Sequence, residues 1–129
     1  MKGSLNHLGL AVLRIGMAGL MLPHGYGKFM MLTSGEEIQF PSVLGMSPLI
    51  SLILAVLGEF IAPILILIGF KTKLAAIPAA ITMAVAAFII HGSDPLAKKE
   101  LALLYLVGFA AIGLLGAGKY SLDGMMNKR

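Results

Sequence analysis

Four long apolar segments, separated by short polar ones, dominate the chain. They cover approximately residues 5–29, 48–70, 74–91 and 95–116. Each is close to the roughly 20 residues that an α-helix needs to cross a bilayer. Ser47-Pro48 and Asp94-Pro95 each place a capping residue before a proline at the start of a segment, which is typical of a helix N-terminus. The pattern predicts an all-α protein, an integral membrane four-helix bundle.

Composition supports this class of protein. The 129 residues are 58% hydrophobic and 12% charged, with a mean hydropathy of +0.94. A soluble domain of this size has too little interior to bury so much apolar surface. The absence of cysteine excludes disulfides, thiol catalysis and thiolate metal sites. We interpret residues 1–129 as a single transmembrane domain. Lys2 before an apolar run resembles the start of a signal peptide, but Arg14 interrupts that run. We therefore expect the first segment to be a retained helix.

The charged residues predict the orientation of the helices in the membrane. One side would carry six basic residues and one acidic residue: Lys2, Lys71, Lys73, Lys119, Lys128, Arg129 and Asp123. The other side would carry three basic and four acidic residues: Lys28, Lys98, Lys99, Glu36, Glu37, Asp94 and Glu100. The positive-inside rule then places both termini in the cytoplasm. The net charge of +4 reflects basic loops rather than a nucleic-acid partner.

Arg14 and Glu59 are charged residues within apolar segments, where an isolated charge costs at least about 2.5–3.5 kcal/mol. Counting the helical rise from the expected helix ends places both at a similar depth. We therefore predict a buried Arg14–Glu59 ion pair facing the bundle interior. Two interpretations stay open: a structural clamp that sets helix register, or a polar floor for a ligand or a proton path.

His24 and Lys28 follow Pro23 in the run "PHGYGK". The proline and the neighbouring glycines predict that the first helix kinks or opens here. At about 100° per residue, His24 and Lys28 lie within roughly 80° of Arg14 around the helix, so all three could face one interior. The alternative is an interfacial histidine and a lysine that extends toward the headgroups.

His91 and Glu100 belong to the same outer side of the predicted bundle. Together with His24 and Lys28 they could surround an outward-facing pocket above the Arg14–Glu59 pair. Such a pocket could hydrogen-bond a quinone carbonyl, or it could be a structural polar cap. Two histidines and a carboxylate are also metal ligands, but no H-x-x-H or E-x-x-H spacing supports a metal site. Tyr26 and Tyr105 are candidate pocket hydroxyls or membrane-interface anchors.

Three stretches resemble the DoxX family in order along nearly the whole chain: "LRIGMAGLMLPHGYGKF", "GEFIAPILILIGFKTKLAAIPAAITMAVA" and "LALLYLVGFAAIGLLGAGKYSLD". The family's recurrent arginine, His-Gly pair, lysine and glutamate fall on Arg14, His24, Gly25, Lys28 and Glu59. Its basic turn and closing-motif residues fall on Lys73 and Lys119. The closing motif has Ala117 where the family usually has proline.

The resemblance implies a small four-helix protein of a bacterial or archaeal inner membrane. Family relatives are associated with membrane oxidoreductase systems, which implies a quinone-interacting subunit or a partner of such a system. The alternative is a non-catalytic scaffold, or a module that binds or transports a small molecule or lipid. Whether the chain is an enzyme stays open. Quinone is the candidate cofactor, no haem or metal site is defensible, and the candidate partners are a membrane redox protein and a second copy in a homodimer.

Overall fold

The computed structural model describes residues 2–126, and within that range the chain is helical with no β-strand. The helices are α1 (Lys2–Thr33), α2 (Pro48–Ile68), α3 (Thr72–Ile90), α4 (Leu96–Leu115) and the short α5 (Leu122–Met126). Two of them contain one π-helical turn, Leu57–Ile61 in α2 and Ala86–Ile90 at the end of α3. Lys128 and Arg129, which contribute to the predicted charge asymmetry, lie outside the described residues.

Among the described residues, three helices are long and apolar enough to cross a membrane, namely α1, α2 and α3. The fourth, α4, has 20 residues, but Lys98, Lys99 and Glu100 occupy its first turns. Large apolar side chains are exposed around the whole bundle, including Val12, Leu20, Leu74, Val107 and Leu114. So much exposed apolar surface suits lipid rather than water as the solvent.

The first helix is continuous through Pro23, so the predicted opening at this proline does not occur. Pro23 lies on the exposed side of α1. The opposite side carries a stripe of buried residues at helical spacing: Ala11, Arg14, Ala18, Met21 and Gly25. Contacts of this stripe with the other helices hold α1 together, and neighbouring helices commonly allow proline within membrane helices.

Small side chains let the helices pack closely at the centre of the bundle. Ala18 of α1, Ala79 of α3 and Phe109 of α4 are fully buried there. Gly108 of α4 faces the side chain of Met17 so closely that a Cβ atom would collide with it. Close contact through alanine and glycine is the usual way in which membrane helices pack.

The end of the bundle that carries the loop between α1 and α2 is more open than this centre. The segment Pro48–Val56 of α2 packs against α1, and the turn Ala86–Ile90 of α3 packs against α4. These two segments have little contact with each other. The α1–α2 pair and the α3–α4 pair therefore separate toward this end, and a cavity lies between them.

Candidate functional site

Arg14 is almost completely buried, and its guanidinium group binds backbone carbonyls rather than a carboxylate. Nη1 donates to the carbonyl of Ile66 at 3.1 Å and to that of Leu67, and Nη2 donates to the carbonyl of Tyr120 at 2.5 Å. Ile66 and Leu67 belong to the last turn of α2, where carbonyls lack the N–H partner four residues on and the helix dipole is negative. Arg14 thus caps the C-terminus of α2.

Gly69 makes this approach feasible. It ends α2 in the left-handed conformation (φ 76°), its N–H donates to Ile66, and the N–H of Phe70 donates to Leu65. This is the Schellman pattern, in which glycine is favoured. A Cβ atom at Gly69 would also lie 3.1 Å from Arg14 Nη1. Glycine at this position therefore allows both the left-handed turn and the close approach of the Arg14 guanidinium.

The segment after α4 folds back onto the same turn. The Asp123 carboxylate accepts hydrogen bonds from the N–H groups of Lys71 (2.7 Å) and Thr72 (2.8 Å), at the start of α3. Burial of this carboxylate opposes its ionisation, but the hydrogen bonds from Thr72 and Lys71 outweigh that effect and lower the pKa of Asp123. Arg14, Gly69, Tyr120, Ser121 and Asp123 form what we call the inner cluster, which ties α1, the α2–α3 turn and the C-terminal segment together.

The predicted Arg14–Glu59 ion pair is wrong, because Arg14 binds carbonyls and Glu59 binds Lys28. The depth argument assumed that α1 and α2 end at the same level. In the structure Arg14 lies beside Leu67, one residue before the end of α2, although it is twelve residues into α1. The two ends are offset by roughly 16 Å, so Glu59 lies beside a later part of α1.

Glu59 and Lys28 form a partly buried ion pair. Lys28 Nζ lies 2.6 Å from Glu59 Oε1, and the two side chains are 28% and 8% exposed. Glu59 lies within the π-helical turn of α2. Such turns are often found at functional sites, because the additional residue redirects the side chains around it.

Two glycines bring three helix backbones together at this turn. A Cβ atom at Gly25 of α1 would collide with the backbone of Glu59, and one at Gly58 would collide with the side chain of Thr82 in α3. The glycine of the His-Gly pair therefore provides close packing rather than flexibility. It sets the distance between α1 and α2 at which Lys28 reaches Glu59.

A cavity of about 650 Å³ opens above this contact, between the two helix pairs. This volume is typical of small-molecule sites, which are mostly apolar with a few convergent polar groups. The cavity follows that description. Most of its lining is aliphatic or methionine, and its titratable lining residues are His24, Lys28, Glu59, His91, Lys98 and Tyr105.

An aromatic contact orients His24 and Tyr105, and a hydrogen bond orients His91. The rings of His24 and Tyr105 meet edge to face with centroids 6.1 Å apart, across the interface between α1 and α4. His91 ends α3, and its Nδ1 lies 2.9 Å from Asp94 Oδ2. This hydrogen bond from His91 lowers the pKa of Asp94.

The structure brings together five of the eight predicted site residues and separates the other three. The five that line the cavity are His24, Lys28, Glu59, His91 and Tyr105. Arg14 is fourteen residues from Lys28 along α1, which is about 21 Å. Tyr26 is 54% exposed and packs on Phe60, and Glu100 is exposed outside the cavity lining. In residues 2–126 no three histidine or acidic side chains are grouped as metal ligands would be.

Lys98 lines the cavity but was not among the predicted site residues. Lys98 and Tyr105 are seven residues apart, which places them on one face of a helix. Leu101 and Ala102 lie between them on that face and also line the cavity. This spacing was the signal that could have identified Lys98 from the sequence. The inner cluster had no comparable signal, since its contacts run from the side chains of Arg14 and Asp123 to backbone groups distant in sequence.

The fold and the cavity define a polytopic helical membrane protein with a polar group of residues inside an apolar cavity. The model of the DoxX family matches residues 9–92, and the chain belongs to this family. It is 30% identical to the Escherichia coli K12 protein named inner membrane protein YqjF, over 97% of each chain. It is 33% identical to a Haemophilus influenzae protein named only as uncharacterized, over 93% of this chain and 92% of that one. No solved structure matches. The protein is a multi-pass protein of the inner membrane.

Proposed function

We propose that this protein is a quinone-interacting subunit or partner of a membrane oxidoreductase system, and that the outer cavity binds the quinone head. One observation carries the proposal: hydrogen-bonding side chains from three helices converge inside an apolar cavity. Lys28 and Glu59 form its charged wall, and His24 and Tyr105 stand beside them on α1 and α4. A quinone ring is flat and apolar, with two carbonyl oxygens that accept hydrogen bonds.

The residues around this wall suit such a head group. The Tyr105 hydroxyl and the Lys28 ammonium are donors, and a His24 ring nitrogen is a donor or an acceptor according to its tautomer. Glu59 holds the Lys28 ammonium on the cavity wall at 2.6 Å. Met21 and Met83 also line the cavity and are buried, and methionine adapts well to flat apolar ligands. The proposal concerns binding and assigns no reaction to the chain.

Two matched tyrosine variants test the quinone site. Tyr105 lines the cavity and Tyr26 does not, so Tyr105→Phe removes a hydroxyl inside the site and Tyr26→Phe removes one outside it. We expect Tyr105→Phe to raise the Kd of a menaquinone or ubiquinone analogue about fivefold, the value of one neutral hydrogen bond. Tyr26→Phe should leave the Kd unchanged.

Calorimetric titration of the purified protein in detergent would measure both values. The wild-type protein failing to bind either analogue would refute the proposal, and so would equal losses in the two variants. A mass spectrum of the lipids that copurify with the wild-type protein provides an independent check.

A second function also has an observation in its favour. Most of the cavity lining is apolar and carries no quinone-specific feature, and a lipid or another small amphiphile would fit the same polar wall. The protein would then be a scaffold, or a module that binds or transports such a molecule. A copurified phospholipid in place of a quinone, with no displacement by quinone analogues, would favour this function.

We further propose that α4 is the fourth membrane span and that the Lys2 end of α1 and the segment after Gly116 face the cytoplasm. A 20-residue helix is about 30 Å long, which matches the hydrocarbon thickness. Its three charged residues lie at the outer end, near the headgroups. Because the chain has no cysteine, a variant with one introduced cysteine reports on which side of the membrane that residue lies.

Thiol labelling in intact cells tests this topology. We expect an impermeant maleimide to label Glu36→Cys, in the outer loop, in intact cells. Lys119→Cys should be labelled only after the membrane is opened. Labelling of both variants in intact cells, or the reverse order, would contradict the proposed orientation.

A further inference from the structure

We infer that the ligand enters the cavity from the bilayer through a mouth between α2 and α3, and that its apolar tail stays in this mouth. The inference rests on the proposed binding function and adds the route and the class of ligand. The ligand would be an amphiphile, with its head at Lys28 and its tail in lipid.

The mouth begins where the two helices part. At its base Gly58 of α2 touches Thr82 and Pro78 of α3. Beyond this contact, Leu54 and Leu57 of α2 and Ile81 of α3 line the cavity although they are 45%, 46% and 57% exposed. Exposed lining side chains on both helices, beyond the point where the helices part, indicate an opening between α2 and α3. Since these side chains lie at membrane depth, the opening faces lipid.

The other openings of the cavity suit an apolar tail less well. Leu44 in the loop between α1 and α2 and Leu101 of α4 also line the cavity and are 69% and 52% exposed. The α4 opening lies beside the polar lining residues His91 and Lys98. At the loop, Phe40, Pro41 and Val43 cover part of the opening. Val43 is buried, and its N–H is held by the Ser51 hydroxyl at 3.0 Å. Between α1 and α4, Met17 fills the space over Gly108 below the His24–Tyr105 contact.

The distribution of polarity in the cavity gives the orientation of the ligand. The mouth residues Leu54, Leu57, Ile81 and Val85 are all aliphatic, whereas the Lys28–Glu59 pair and His24 lie where α1 meets α2. A molecule with a polar head and a long apolar tail fits this cavity in one orientation, with the head at the Lys28–Glu59 pair and the tail in the aliphatic mouth. The site is therefore built for a ligand that partitions into the membrane.

Photolabelling maps the route directly. The probe is a quinone analogue with a diazirine at the end of its tail, added to the full-length protein in bilayer nanodiscs. We expect the cross-links to lie on α2 and α3 near Leu54, Leu57, Ile81 and Val85. Cross-links on the outer loop, residues 34–47, or on α1 and α4 around Met17 would overturn the inferred route. Those outcomes would leave the binding function intact.

A matched pair of tryptophan variants tests the mouth by affinity. Ile81→Trp would narrow the mouth, whereas Ile89→Trp adds the same bulk on α3 at an exposed position outside the cavity. We expect Ile81→Trp to raise the Kd of a tailed quinone analogue about tenfold and to leave that of the tailless ring unchanged. Ile89→Trp should change neither Kd.

The two affinities separate failure of the route from failure of the function. Equal Kd values of the tailed analogue for Ile81→Trp and wild-type protein would overturn the mouth between α2 and α3. Absence of binding of both the ring and the tailed analogue to wild-type protein would overturn the proposed function itself.

Discussion

We expect Gly25→Ala to lower the free energy of unfolding by about 3 kcal/mol, at the upper end of the usual cost of overpacking. The added Cβ atom would collide with the backbone of Glu59 and Phe60, which cannot move as a flexible side chain could. The helices α1 and α2 would have to separate. Separation would lengthen the Lys28–Glu59 ion pair and weaken the stacking of Phe29 on Phe60, whose centroids are 4.9 Å apart.

Gly27→Ala is the matched control for this prediction. Gly27 is two residues away on the same helix, and a Cβ atom there would meet no other atom within 4 Å. Alanine favours the helix over glycine by about 1 kcal/mol, so Gly27→Ala should stabilise the protein slightly. Unfolding by denaturing detergent in mixed micelles measures both effects.

The opposite signs make the comparison decisive. Two substitutions of the same chemistry, two positions apart, should differ by about 4 kcal/mol. Similar effects of Gly25→Ala and Gly27→Ala would mean that α1 and α2 do not touch at Gly25, and the location of Glu59 beside Lys28 would lose its structural basis.

We expect Lys28→Met to cost about 3 kcal/mol of unfolding free energy, because it leaves the carboxylate of Glu59 buried without its partner. Glu59 is 8% exposed, so little solvent would compensate it. The double variant Lys28→Met with Glu59→Leu removes both charges and should recover most of the loss. A coupling free energy of about 2 kcal/mol would be the signature of a direct pair.

The control is a second double-mutant cycle, between Arg14→Met and Glu59→Leu. Arg14 caps the C-terminus of α2 and has no contact with Glu59 in the structure. The two substitutions should therefore add to within about 0.5 kcal/mol. A large coupling between Arg14 and Glu59, with none between Lys28 and Glu59, would restore the ion pair that the sequence suggested and would contradict the structure.

The location of the helices could be predicted almost entirely from the sequence. The apolar segments correspond to α1 through α4, and the proline-containing starts at Pro48 and near Pro95 were correct within a residue. Within α1, the local proline and glycine pattern was a less reliable guide to the course of the helix. Pro23 and the neighbouring glycines predicted a kink or an opening, and the helix does not open because contacts with its neighbours outweigh local propensity.

The pairing of charged residues could not be predicted in the same way. A helical repeat gives the face of a residue reliably, and it placed Arg14 and Lys28 correctly on the interior face of α1. The depth of one helix against another depends on where each helix begins and ends. An offset of three turns between the ends of α1 and α2 was enough to exchange Arg14 for Lys28 as the partner of Glu59.

By itself the sequence determined the class of protein, the helices, and five of the residues that line the cavity, since length, apolar content and helical spacing are properties of a single segment. Only the tertiary structure decided that Lys28 is the partner of Glu59, that Arg14 and Asp123 belong to a separate inner cluster, and that Gly25 is a contact point. Each of these depends on atoms brought together from segments distant along the chain. Their approach is set by packing between helices, which no local pattern encodes.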